Sequence, residues 1–139
     1  MTGEPLATPR DEGERGPGAM VEISRAMVKL YKDQFGRGPV RARATWAGDD
    51  MIVCVLEETL TPAEQNLRAM GEHQRLRDIR LFFQHASIRE FIEPVERVTG
   101  RKVRAFTSAM DTEEDVAVET FVLHPRGSDE SSRAEKAEI

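Results

Sequence analysis

The stretch from Thr61 to Gly100 constrains the fold most, because it carries a strong helix start signal and a helix stop signal. In Thr61-Pro62-Ala63-Glu64 the threonine can cap a helix, the proline suits the first helical position, and the glutamate completes a capping box. Gly100 is the residue type that ends a helix in the left-handed conformation. Strand-like runs lie on both sides, so we expect a helical block against which strands pack.

Two residues inside this block interrupt a single long helix. Gly71 divides it into at least two helices, with a junction near residues 71–74. Pro94 lacks a backbone N–H and clashes with the preceding turn, at a cost of about 3 kcal/mol in a helix interior. Pro94 therefore predicts either a kink in a continuous helix or a break near residues 85–87, where Ser87 would cap a new helix.

The segment between these interruptions has the spacing of an amphipathic helix. Its expected apolar stripe consists of Leu76, Ile79, Phe83 and Ala86. Arg77 with Leu81, and Arg80 with Gln84, are expected to cover the solvent side. A charge run on a helix is typical of a solvated face, and a docking surface for a partner is the alternative.

The flanking segments predict the rest of the fold. An apolar stripe over residues 19–35 indicates a first helix, which Gly36 and the following glycine and proline end. Alternating runs predict two antiparallel hairpins, with strands at 40–47, 51–57, 103–109 and 116–123. The order α-ββ-αα-ββ predicts an α+β fold, a four-stranded antiparallel sheet with helices packed on one face.

The first two strands differ in pattern. Arg41 and Arg43 share the wet face of the first strand, where pairing with Glu119 across strands is expected. The second strand is apolar on both faces until Glu57, which suits a position covered on both sides or an interface. We therefore expect a homodimer.

Composition divides the chain into one domain and two tails. Residues 1–18 and 125–139 are rich in Gly, Pro, Ser and charge, which predicts disordered tails around a single domain at 19–124. Lys and Arg number 20 against 25 Asp and Glu, a net charge of −5. This balance argues against nucleic-acid binding. RNA binding by the sheet face, with Trp46 and Phe106 for stacking, is a weaker hypothesis.

The sequence favours a soluble cytoplasmic protein. Its longest apolar run, Met51–Leu56, is far shorter than the ~20 residues of a membrane span, and the N-terminus lacks a signal pattern. Direct membrane insertion is therefore not expected. The one cysteine, Cys54, lies in an apolar run and is interpreted as a small buried hydrophobe.

No residue pattern predicts catalysis, a metal site or a cofactor. The three histidines are too widely spaced for a metal site, and the acidic turn 111–115 lacks the alternation and glycine of a calcium loop. No serine motif of a hydrolase is present. We therefore expect a protein that is not an enzyme.

The residues that suit anion binding are Gly36-Arg37-Gly38-Pro39 together with Arg41 and Arg43, because a guanidinium can bind an oxyanion through two parallel hydrogen bonds. Arg104 could join them if the third strand lies nearby. The alternative interpretation is a helix stop and turn followed by a solvated sheet face.

Four motifs together carry a family resemblance. They are Gly36-Arg37-Gly38-Pro39, Leu60-Thr61-Pro62-Ala63-Glu64, Arg80 with Phe83, and Thr99-Gly100-Arg101-Lys102-Val103. In this order and spacing, over about residues 20–123, the chain resembles the small MpsC-like proteins, long catalogued as a domain of unknown function.

The resemblance implies a component of a bacterial Na+-translocating, membrane-potential-generating system linked to inorganic carbon uptake. It supplies no catalytic residues. We therefore expect a non-enzymatic cytoplasmic accessory or regulatory domain that binds a membrane transport protein. The alternative is a small-anion-binding domain or enzyme that uses Arg37, Arg41 and Arg43; Arg80 is a further candidate for anion or partner binding.

Overall fold

The structure, a computed structural model, describes residues 16–128 and 130–136. Its helices are α1 (Pro17–Phe35), α2 (Pro62–Ala69), α3 (His73–Ala86) and α4 (Ile88–Thr99). Its strands are β1 (Arg41–Trp46), β2 (Met51–Glu57), β3 (Val103–Asp111) and β4 (Val116–Leu123). The strands form one antiparallel sheet in the order β1-β2-β4-β3, which confirms the predicted α+β fold.

The central block consists of three helices. Gly71, with a φ of 77°, lies between α2 and α3, as expected. A second break falls at Ser87, although the Ser87 side chain makes no capping hydrogen bond. Helix α4 continues past Pro94, which is buried. Of the two alternatives for this region, the structure has the break, with the proline inside the new helix.

The hydrophobic core lies between the helices and one face of the sheet. Ile52, Cys54 and Leu56 of β2 are fully buried there, whereas the alternating residues Met51 and Val53 are partly exposed. The helices therefore cover strand β2 on one face only. Of the two alternatives for this strand, cover on both sides was wrong, and an interface on the other face stays a prediction. The homodimer stays a prediction.

Aromatic side chains join the layers of the core. Phe91 of α4 stacks on Phe106 of β3 with ring centroids 5.4 Å apart, and Phe106 lies 5.1 Å from Phe121 of β4. Tyr31 of α1 meets Phe91 edge-on at 6.2 Å. Such pairs add to the free energy gained by burial alone. They tie α1 and α4 to the sheet on a single side.

Strand β3 departs from the predicted alternation. A register shift between Val103 and Ala105 pairs Val103 with Leu123 in the core, but Ala105 with Val122 on the outer face. The two residues do not share a face as expected. Because β3 and β1 are opposite edges of the sheet, Arg104 does not join the arginines of β1.

The predicted tails are described in part. Residues 1–15, 129 and 137–139 lie outside the described residues, and α1 begins at Pro17. Within the predicted C-terminal tail, Ser132 is buried and Ala134 packs against the core, at the start of a 3-10 helix over Arg133–Lys136.

Candidate functional site

Helix α3 turns polar side chains inward and aromatic side chains outward. Its buried residues are Leu76, Arg80 and Gln84. Phe82 is 68% exposed, Phe83 is 40% exposed and Ile79 is 38% exposed. The expectation that Arg80 and Gln84 cover the solvent side was therefore wrong. Ile79, Phe82 and Phe83 are called the α3 outer face below.

Arg80 is buried because Glu64 of α2 binds it. Its Nε donates to Glu64 Oε2 at 2.6 Å, and its Nη2 donates to Glu64 Oε1 at 2.6 Å. The same Nη2 donates to the carbonyl of Thr59 at 3.0 Å. The guanidinium lies over the ring of Phe35, 3.8 Å from its centroid. These contacts fix the rotation of α3 about its axis.

Glu64 also caps its own helix, as the sequence predicts. Its Oε1 accepts a hydrogen bond from the backbone N–H of Thr61 at 2.9 Å, and Thr61 Oγ1 accepts one from the N–H of Glu64 at 3.2 Å. Burial alone would raise the pKa of Glu64, but the hydrogen bonds from Arg80 and Thr61 and the charge of Arg80 lower it overall. One carboxylate therefore links the start of α2 to α3.

A second buried carboxyl group lies behind Gln84. Glu119 Oε2 accepts a hydrogen bond from the Tyr31 hydroxyl at 2.5 Å and one from Gln84 Nε2 at 2.9 Å. Glu119 is fully buried, because the alternation of β4 turns it toward the helices. Its expected pairing with arginines of β1 was therefore wrong.

Burial raises the pKa of Glu119 to about 7. The nearby Ser108 hydroxyl, the hydrogen bonds from Tyr31 and Gln84 and the charge of Arg80 limit this rise. Burial, and then the charge of Glu119, also raise the pKa of Tyr31 well above its ordinary value. The carboxyl group thus changes its charge near neutral pH in the middle of the fold.

The loop before α2 is held from two sides. Asp115, the residue before β4, accepts hydrogen bonds from the N–H of Thr59 at 2.8 Å and that of Leu60 at 3.1 Å. Arg37 Nη1 donates to the carbonyl of Leu60 at 2.6 Å. Two of the family motifs therefore contact each other here, and the guanidinium of Arg37 has a structural partner.

The arginines expected to bind an anion are only partly together. Arg41 and Arg43 line one shallow cavity of about 290 Å³ on the outer face of the sheet, with Glu57 3.7 Å from Arg41. Arg37 is directed to the α2 loop instead, and Arg80 lies in the core. Anion binding by this group stays a prediction.

The glycine-rich turn acts first as a helix stop. Gly36 adopts a φ of 78° and donates its N–H to the carbonyl of Lys32 at 2.9 Å. Gly38 packs closely on α1, where an added Cβ would lie 3.4 Å from Val28. Pro39 follows in the turn that leads to β1.

The junction motif before β3 also has a structural role. Arg101 is buried and donates to the carbonyls of Asp49 at 2.8 Å and His124 at 2.7 Å, and it binds the Asp50 carboxylate. It thereby joins the turn between β1 and β2 to the end of β4.

Sequence reasoning missed the buried positions of Gln84 and Glu119 and the exposed position of Phe82. The available signal was the spacing of residues 76, 80 and 84, which lie on one helix face. The rule that polar residues face solvent placed Arg80 and Gln84 on the wrong side. The partner that allows Arg80 to be buried lies in another helix and is not evident from the sequence of α3 alone.

Comparison with known protein families gives one match. A family model described as Na+-translocating membrane potential-generating system (MpsC) matches residues 19–125. No curated protein and no solved structure matches the chain. Within the described residues, no helix has both the length and the apolar character needed to cross a membrane.

Proposed function

The chain belongs to the MpsC family, and from this premise we propose that it is a non-enzymatic cytoplasmic accessory component of a Na+-translocating, membrane-potential-generating system. In this proposal it acts by binding a membrane transport protein of that system. The observation that carries the proposal is the α3 outer face, where Phe82 is 68% exposed.

The α3 outer face has the properties of a binding surface. Phe82 and Phe83 pack edge-on at 5.6 Å, and Phe83 packs on Phe35 of α1 at 5.8 Å. The rings are therefore held in place before a partner arrives, which reduces the entropy lost on binding. Exposed aromatic side chains clustered in this way are typical of the energetic centre of an interface.

The charge of the chain favours a basic partner surface. The chain carries a net charge of −5. Cytoplasmic loops of membrane proteins carry an excess of Lys and Arg near their membrane segments. The net negative charge of the whole chain would attract such loops from a distance and increase the association rate, while the aromatic face would supply the contact.

The side chains that could take part in a reaction are buried or engaged in structural hydrogen bonds, which supports a non-enzymatic role. Burial, with a contribution from Glu119, raises the pKa of the Cys54 thiol to about 12, so the thiol is not a nucleophile at neutral pH. Glu64, Arg80 and Gln84 hydrogen-bond to other elements of the fold.

Binding to membranes tests the proposal. The purified chain is sedimented with membrane vesicles from cells that contain the sodium-translocating system and with vesicles from cells that lack its membrane subunits. We expect retention on the first vesicles only. Phe82→Glu should reduce retention at least tenfold, since it places a charge in the apolar contact.

Val21→Glu is the matched control, because Val21 is a 44% exposed apolar residue on α1. It should leave retention unchanged. Equal retention on both kinds of vesicle, or full retention of Phe82→Glu, would refute the proposal. Sedimentation equilibrium supplies a further check: a dimer that Phe82→Glu dissociates would assign the face to a second copy of the chain.

A further inference from the structure

The outer face of the sheet, on the side away from the helices, is apolar at its centre. Its two middle strands, β2 and β4, alternate between buried residues on the core side and half-buried residues on the outer side. The outward positions of these strands are apolar except for Glu57 and Thr120; the apolar residues are Met51, Val53, Val55, Val116, Val118 and Val122. A contiguous apolar surface of this kind is typical of a contact with another protein.

Charged side chains lie at one end of this face, with opposite signs on the two edge strands. The pairing register places Arg41, Glu57, Val116 and Asp111 in one row across the four strands. Arg43 lies in the next row, two residues further along β1. The face therefore carries basic groups on the edge strand β1 and an acidic group on the edge strand β3, with the apolar centre between them.

These charges are only partly balanced within the chain. Arg41 lies 3.7 Å from Glu57 in an exposed ion pair. Arg43 is exposed and makes no ion pair within the described residues. Asp111 is also exposed, and its carboxylate accepts a hydrogen bond from the backbone N–H of Glu114 at 2.9 Å, with no cation within ion-pair distance in the described part of the chain. Arg43 and Asp111 can therefore pair with charges of another molecule.

A second copy of the chain matches both the apolar centre and the charges. Two sheets that pack face to face can keep their strand directions within about 30° of each other. A two-fold axis between the sheets and parallel to the strands places β1 of one copy over β3 of the other. Arg41 of each copy then lies over Asp111 of the other copy, and the long side chain of Arg43 reaches it from the next row. An axis across the strands would instead place the arginines of two β1 strands together.

We propose that the chain forms a two-fold symmetric dimer through the outer faces of its sheets, with Arg41 and Arg43 of each copy against Asp111 of the other. Strand spacings of ~4.8 Å and a rise of ~3.3 Å per residue give a flat face of roughly 20 Å by 20 Å. This is at the lower end of the size of specific interfaces, so we expect a dissociation constant in the micromolar range. The helices lie on the far side of each sheet, so the dimer leaves both α3 outer faces accessible.

Sedimentation equilibrium of the full chain measures this association. From about 1 μM to 1 mM the apparent mass should rise from that of one chain to that of two. Val118→Lys, at the apolar centre, should weaken dimerisation at least tenfold, because it places a charge of each copy inside the contact. Circular dichroism should show an unchanged fold, since this side chain lies outside the core.

Exchange of the charges tests the direction of the axis. Arg41→Glu and Asp111→Lys, each alone, should weaken dimerisation at least tenfold, because like charges then face each other between the copies. An equimolar mixture of the two variants restores opposite charges at both ends and should recover a mixed dimer. Mixing would not correct a defect that lies in the folding of either variant.

Arg25→Glu is the matched control, because Arg25 is an exposed arginine on α1 and the change of charge is the same. It should dimerise normally, and so should Phe82→Glu. A chain that stays monomeric throughout this range would overturn the proposal, as would a dimer that Phe82→Glu dissociates and Val118→Lys does not. Failure of the mixture to recover a dimer would exclude this axis. These measurements use no membrane, so their outcome is independent of the vesicle experiment.

Discussion

Glu64 and Arg80 bind each other through two hydrogen bonds of 2.6 Å while both are buried. The pair connects the capping box of α2 with the middle of α3. With Arg80 directed inward, the geometry of the helix places Phe82 outward, because these residues lie about 200° apart around the axis. The ion pair therefore determines which face of α3 is exposed.

Glu64→Gln should destabilise the fold by about 3 kcal/mol, since it leaves a buried guanidinium without its counter-charge. Urea unfolding followed by circular dichroism measures this loss. Asp33→Asn is the matched control, because Asp33 forms an exposed ion pair with Lys29 at 2.8 Å. Such a pair contributes less than about 1 kcal/mol. Equal losses in the two variants would contradict the importance assigned to the buried pair.

The pKa of Glu119 predicts a stability that falls as pH rises. Below pH 4.5 the carboxyl group is protonated in both folded and unfolded chains. Between 4.5 and about 7 the unfolded chain releases the proton and the folded chain keeps it, so the free energy of unfolding decreases with increasing pH. The decrease is roughly 3 kcal/mol and ends above pH 7, where both states are ionised.

Glu119→Gln isolates this effect, because glutamine resembles the protonated carboxyl group and does not titrate. The free energy of unfolding of both proteins is measured from pH 4.5 to 7.5. The difference between the two curves should favour the variant progressively as pH rises, since contributions from other groups, including Glu64 and Tyr31, cancel. A constant difference across this interval would show that the pKa of Glu119 is not raised.

The boundaries of the helical block could be predicted from sequence, because their causes are local. The capping box at Thr61 and the glycine stop at Gly100 involve residues a few positions apart, and both occur as expected. The family resemblance rests on the same segments. The break at Ser87 was one of two alternatives for the same reason, since a proline disfavours a helix without specifying where it ends.

The orientation of α3 could not be predicted, because its cause is not local. Arg80 is buried only because Glu64, sixteen residues earlier, supplies its charge partner. The alternation of β4 directs Glu119 toward the core, but the Tyr31 and Gln84 hydrogen bonds that satisfy it there come from two helices. A rule that assigns charged residues to solvent fails where another element satisfies them.

Phe82 and Phe91 should respond in opposite ways to truncation. Phe91 is fully buried and packs on Tyr31 and Phe106, so Phe91→Ala should cost about 3–5 kcal/mol. Phe82 is largely exposed, and Phe82→Ser should change the free energy of unfolding by less than about 1 kcal/mol. Chemical denaturation of both variants provides the measurement. A large loss for Phe82→Ser would show that its ring stabilises the fold instead of serving a partner.

A substitution at Gly100 tests whether glycine is needed in the junction motif for its left-handed backbone conformation. Gly100 has a φ of 71° and donates its N–H to the carbonyl of Glu96 at 2.9 Å, and an added Cβ would meet no atom within 4 Å. Gly100→Ala should therefore cost about 1 kcal/mol through backbone strain alone. Gly18, in the first turn of α1, also has open space around it but no positive φ, so Gly18→Ala should stabilise by up to about 1 kcal/mol. Thermal unfolding of both variants should give shifts of opposite sign, and a stabilising Gly100→Ala would exclude the left-handed cap.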